Sequence, residues 1–135
     1  MITGIRTLQE FPRNIPLFIF GAGACGQEVR QALRRGPGVI VGGFIDNYKR
    51  GEQDGLKIVS LEEFLECKPA EFKIVVASQY NYQIYAQLLK QEIKDFYDAY
   101  PFYEATRDAK AVRKAKLIAG AVVALIAAGV WWLAR

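Results

Sequence analysis

A chain of 135 residues holds one domain of modest core and not two. With 52% apolar and 24% charged residues it reads as globular, not disordered. The formal net charge of +4 would suit a nucleic-acid binder, but its placement argues against one: residues 1–108 carry 13 Lys and Arg against 14 Asp and Glu, and residues 109–135 carry 5 basic residues and no acidic one. The two cysteines, Cys25 and Cys67, form no Cys-x-x-Cys pair, so no metal site is expected. The absence of histidine excludes Ser-His and Cys-His nucleophiles, and no catalytic residue is assigned. A reducing cytoplasmic setting is expected, and the opening "MITGIRTLQEF" lacks the apolar region of a secretory signal.

The first element is the apolar run 17–20, ended by glycine, as in a strand buried on both faces. A helix is expected over 27–35, with Val29, Ala32 and Leu33 on its apolar face and Arg30, Arg34 and Arg35 off it; "GPG" at 36–38 stops it. "VIVGGFID", 39–46, is a second strand, "NYKRGEQDG" a polar loop, and "LKIV" a short third strand. A capping box, Ser60-x-x-Glu63, opens a second helix that ends near Lys68 and Pro69. "FKIVVAS", 72–78, is a buried strand. The helix at 82–93 places Ile84, Tyr85, Leu88 and Leu89 on one stripe, and "DFYDAYPFY" is read as containing a last edge strand before Pro101. Alternating strands and helices predict an α/β domain, Rossmann-like, with a mostly parallel sheet flanked by helices.

The end of the chain differs in kind. Residues 117–134, "LIAGAVVALIAAGVWWLA", contain no charge, and as a helix would rise roughly 27 Å at about 1.5 Å per residue, near the lower limit for crossing a bilayer. Trp131 and Trp132 sit near one end, as interfacial rings do, and the basic segment 109–116 with "KAVRKAK" lies immediately before the other. The expected organisation is a domain over 1–108, a basic juxtamembrane segment over 109–116 and a single-pass C-terminal transmembrane helix over 117–134, with the domain facing the cytoplasm. A buried helix of the domain itself is the competing reading. Gly120, Ala124 and Ala128 share one helical face, the spacing of small-residue helix dimers.

The glycine loop carries the candidate chemistry. Gly21, Gly23 and Gly26 follow a strand directly and open a helix, which is the context a G-x-G-x-x-G motif needs. Gly21 permits the tight turn, Gly23 admits a phosphate to the main chain, and Gly26 allows helix to pack on strand. The amides of the loop, Gly21, Ala22, Gly23, Ala24, Cys25 and Gly26, would then form an anion site at a helix N-terminus. Asp46 lies 20 residues beyond Gly26 at a strand end, placed to accept hydrogen bonds from ribose, with Asn47 beside it. Cys25 reads either as a thiolate stabilised by the helix N-terminus or as a small residue at a variable position. Ser78, Gln79 and Asn81 follow the "IVVAS" strand and would face the same crevice, or serve as turn and cap residues. Lys49 and Arg50 read as a solvated loop within reach of a phosphate, and Tyr80, Tyr82 and Tyr85 as packing residues. The alternative to all of this is a scaffold that has kept the turn and lost its ligand.

The series "FIFGAGACGQEV", "VGGFIDN", "GLKIVSLEEF" and "KIVVAS", over residues 15–100, resembles the N-terminal nucleotide-sugar-binding domain of bacterial sugar acyltransferases. It is also similar to the nucleotide-binding module of membrane-bound polysaccharide epimerase/dehydratases. The resemblance implies a UDP-sugar held with Gly21, Gly23 and Gly26 near the phosphates and Asp46 near the nucleoside. This chain has Cys25 where some of those acyltransferases have histidine, lacks their hexapeptide repeats, and lacks the Tyr-x-x-x-Lys of the dehydratases, since Tyr85 and Lys90 stand one residue too far apart.

Three functions are therefore expected in competition. The first is a membrane-tethered domain binding a nucleotide or UDP-sugar in glycan or polysaccharide biosynthesis, beside a membrane enzyme partner. The second is an NAD(P)-binding or sugar-nucleotide-modifying enzyme subunit completed by another chain; little more than one half of a doubly wound sheet is expected here, which disfavours NAD. The third is an interaction protein with a vestigial glycine loop, assembling as a homo-oligomer through its tail.

Overall fold

β-Branched and aromatic runs too short for helices end at small or polar residues, Gly21, Asp46, Ser60 and Ala77, and the chain resolves into strands with crossovers between them. The computed structural model describes residues 1–36 and 38–133, with side chains up to residue 123. The strands are β1 (Ile2–Gly4), β2 (Pro16–Phe20), β3 (Ile40–Ile45), β4 (Gly51–Gln53), β5 (Leu56–Val59), β6 (Lys73–Val76) and β7 (Phe96–Asp98). The helices are α1 (Ala24–Leu33), α2 (Leu61–Cys67), α3 (Asn81–Lys90) and α4 (Tyr100–Leu133), with a 3-10 turn at Leu8–Glu10. One compact unit comprises Met1–Tyr103 and a second Glu104–Arg135.

The sheet order is β1-β7-β6-β2-β3-β5-β4, parallel throughout except for the β4–β5 pair. Counted from β2, the wound strands run 3-2-1-4-5, so two wings diverge from the β2–β6 pair. This corrects the expectation of little more than one half: β6 and β7 build the second wing, and β1 extends it. β7 is therefore not an edge strand, since Ile2 pairs with Phe96 and Gly4 with Asp98.

The stretch expected as a polar loop contains β4. Asp54 (φ 56°) and Gly55 (φ 76°) form a two-residue turn with both φ positive, the geometry that matches strand twist in a hairpin. Arg30 reaches Asp54 at 3.3 Å, Arg34 also bonds it, and Gln27 donates to Gln53 at 3.3 Å, so the hairpin lies against α1.

Alternation along β2 distributes the core between the two faces of the sheet. Leu17 and Ile19 join Val29 and Leu33 of α1, together with Phe44, Ile58 and Val75. Phe20 joins Ile45, Ile74, Val76 and Phe96 beneath Leu61 and Phe64 of α2 and Ile84 and Leu88 of α3. Each fully buried Leu or Val contributes roughly 1.5–3 kcal/mol through the area withdrawn from water. Leu89, expected on the buried stripe of α3, is exposed, and α3 stops at Lys90 instead of running to Ile93. α1 begins three residues earlier than expected, inside the glycine loop. The Ser60 cap is present: Glu63 N–H donates to Ser60 Oγ at 3.1 Å, while the Ser60 hydroxyl, not its backbone amide, meets the Glu63 carboxylate at 3.3 Å.

In the second unit the side chains of the helix are exposed from residue 107 through residue 123. Among the described residues no helix is long and apolar enough to cross a membrane. The span expected over 117–134 runs past the last described side chain; those of Ala124, Ala128, Trp131 and Trp132 lie beyond it, and Ala134 and the Pro37 of "GPG" lie outside the described residues.

Candidate functional site

The carboxyl ends of β2, β3, β6 and β7 open onto one cavity of about 550 Å³, at the point where the two wings part. In open α/β sheets this seam is where ligands sit, because adjacent crossovers leave in opposite directions. Gly21, Gly23, Ala24 and Cys25 line it after β2, Asp46, Asn47, Tyr48 and Lys49 after β3, and Ala77, Ser78, Gln79 and Tyr80 after β6.

The glycine loop owes its shape to two contacts. Gly21 has φ 127°, and a Cβ there would stand 2.2 Å from the carbonyl oxygen of Ala77; a Cβ on Gly26 would stand 1.7 Å from the carbonyl oxygen of Gly21. Both glycines therefore let main chain meet main chain. Gly23 is different: nothing lies within 4 Å of a Cβ built there, and its φ of −85° suits any residue. Gly23 caps α1 without a side-chain hydrogen bond, and no acidic residue occupies the first turn. The amides of that turn and the helix dipole therefore remain available to an anion at the cavity wall.

Asp46 does more than line the cavity. Its Oδ2 accepts from Ala22 N–H at 2.8 Å, and its Oδ1 from Tyr48 N–H and Lys49 N–H, each at 2.8 Å. Burial pushes this carboxyl up, but the amides of Lys49, Ala22 and Tyr48 and the Lys49 charge outweigh it and hold it below its ordinary value. Three of about four acceptor positions on the carboxylate are thus filled. The residue expected to face ribose is first a clamp between two loops, with one acceptor position left. Lys49 crosses back to donate to the Ala22 carbonyl at 3.1 Å and, with Asp46, supplies the charge of the cavity lining. Arg50 instead folds onto its own loop, donating to the carbonyls of Asp46 and Lys49 at 2.8 and 2.7 Å.

The remaining expected residues divide. Ser78 and Gln79 line the cavity, and Ser78 Oγ also accepts from Tyr80 N–H at 3.1 Å, so the crevice and turn readings both hold for it. Asn47 lines it with its amide paired reciprocally to Gln87 at 2.8 and 3.0 Å. Ala22 and Gly26 are buried and turned away from the cavity, because one serves Asp46 and the other packs α1. Asn81 is not in the lining: it caps Tyr82 N–H and donates to Asp98 at 2.9 Å. Cys25 is buried, and burial, followed by the charges of Asp98 and Glu28, pushes its thiol up to about 12. Burial and the raised thiol favour the small-residue reading over the thiolate.

The sequence reading missed Gln83, Tyr100 and Tyr103, which line the cavity, and Asp98. Asp98 is a carboxylate only 4% exposed, accepting from Asn81, from the Tyr85 hydroxyl and from Tyr100 N–H at 2.9 Å. It ties the start of α3 to the start of α4, and Tyr85, raised by burial and by Asp98, stays a neutral donor. An acid two residues before the next helix was the available signal. Among the described residues no group of three or more His, Cys, Asp or Glu side chains could hold a metal ion. Comparison with models of known protein families and with curated proteins finds no match.

Proposed function

We propose that the domain binds a nucleotide or nucleotide-sugar, a UDP-sugar foremost, and serves glycan or polysaccharide assembly from the cytoplasmic face of a membrane. The observation that carries this reading is the N-terminus of α1, without a side-chain cap, opening with Lys49 onto the cavity between the wings. Amides and one ammonium suit a diphosphate, the free acceptor position of Asp46 suits a sugar hydroxyl, and Tyr80, 59% exposed at the rim, offers a ring to a base. The cavity volume lies within the usual range for small-molecule sites. The tether is residues 117–134 as a single-pass helix, and a membrane enzyme is the partner class the reading implies.

A second reading, an NAD(P)-binding enzyme subunit completed by another chain, gains from the sheet order: with both wings present a dinucleotide has two sides to lie across. Calorimetry of the full chain in detergent with UDP, UDP-glucose and NAD separates the two. Tight binding of the uridine ligands over NAD is expected, lost more than tenfold in Gly23→Val and reduced severalfold in Lys49→Gln. No heat from any nucleotide at millimolar concentration, or unchanged affinity in Gly23→Val, would count decisively against the proposal.

A further inference from the structure

The second unit presents a charge pattern that the nucleotide site does not use. Lys110, Arg113, Lys114 and Lys116 all stand exposed on α4, and residues 109–135 include no acid. At about 100° per residue these four cations cover roughly 160° of the helix circumference. Arg113, Lys114 and Lys116 make no ion pair among the described residues. Directly beyond them Leu117, Ile118, Val122 and Val123 are exposed, from 49% to 70%. Those four point around most of the helix, so a groove on a protein partner could cover only one side of them. A second copy laid parallel would set cation against cation.

We infer that this stretch of α4 docks on an anionic phospholipid surface, with Lys110, Arg113, Lys114 and Lys116 among the headgroups and the apolar residues that follow entering the acyl region. The inference rests on the tethering part of the proposed function and not on its nucleotide part. Cations beside an apolar helix gain from the surface potential of an anionic leaflet, and the gain falls with salt. The pairing would also favour the leaflet that carries the acidic lipids.

The test is cell-free synthesis of the full chain with phosphatidylcholine vesicles, or with vesicles containing phosphatidylglycerol as a third of their lipid, followed by flotation. Partition onto the anionic vesicles is expected to exceed that onto neutral ones by at least about tenfold. The excess should vanish in molar salt and in the variant Lys110→Gln, Arg113→Gln, Lys114→Gln, Lys116→Gln, whose glutamines keep helix propensity. Equal flotation on both vesicle types, an unaltered excess in the variant, or a salt-insensitive dimer indifferent to lipid charge overturns the inference. Flotation on neutral vesicles alone would leave the tether standing without it, and no flotation at all would remove both. Neither outcome touches nucleotide binding, which calorimetry reads separately.

Discussion

Replacing Asp46 by alanine removes the acceptor for three amides in two loops at once. Ala22 is 0% exposed, so its N–H would be left without a partner, at a cost of about 1–3 kcal/mol. Tyr48 and Lys49 are exposed and their amides can turn to water, adding about 0.5 kcal/mol each. Asp46→Ala should therefore lose about 2–4 kcal/mol near pH 7, a fall in Tm of roughly 10–20 °C by circular dichroism. Because the folded carboxyl titrates below its ordinary value, the contribution is complete above about pH 4 and is lost as pH falls through the folded value. The deficit of the variant should accordingly shrink on acidification. A deficit under about 1 kcal/mol at pH 7, or one that stays constant down to pH 2.5, would refute the clamp. The same reasoning disqualifies Asp46→Ala as a clean probe of ligand binding, since loop order and ligand contact would be lost together. Gly23→Val is the better probe.

Three further outcomes follow from the geometry. Gly26→Ala should lose more than about 3 kcal/mol or fail to fold, because its Cβ would fall 1.7 Å from a carbonyl oxygen, whereas Gly23→Ala should melt within a few degrees of wild type. Alkylation with iodoacetamide at pH 8, read by mass spectrometry, should give a single adduct at the exposed Cys67; rapid labelling of Cys25 in folded protein would contradict its raised thiol. Tyr85→Phe should cost about 1–2 kcal/mol and Asp98→Ala more, about 2–4 kcal/mol, since the second leaves both Asn81 and Tyr85 without their acceptor.

The parts of this domain that were legible in the sequence are those whose causes are local. Strand, glycine loop and helix over 16–33 follow from an apolar run meeting glycines at fixed offsets, and the Ser60 cap follows from two residues three apart. β1 and β4 have three residues each, too few to show alternation, although Asp54-Gly55 was a hairpin signal in plain view. The cavity was half legible. Its glycine wall and the β3 and β6 loops could be placed by motif spacing, but Tyr100 and Tyr103 enter from the second wing, which only tertiary pairing brings near. Asp46 shows the limit most clearly: its position at a strand end was readable, while its partner, the amide of Ala22, depends on how two loops close in space.

The pairing of β1 with β7 bears on how the polypeptide reaches this state. Ile2 finds its place beside Phe96, so β1, which precedes the other strands of this sheet in the chain, must wait for β7 to be synthesised before it can dock. Contacts of such long sequence separation form slowly, because the intervening chain must first be ordered. Until then the outer edge of β7 offers unpaired amides and carbonyls to any neighbouring chain, and that interval is when nascent copies are most prone to associate wrongly.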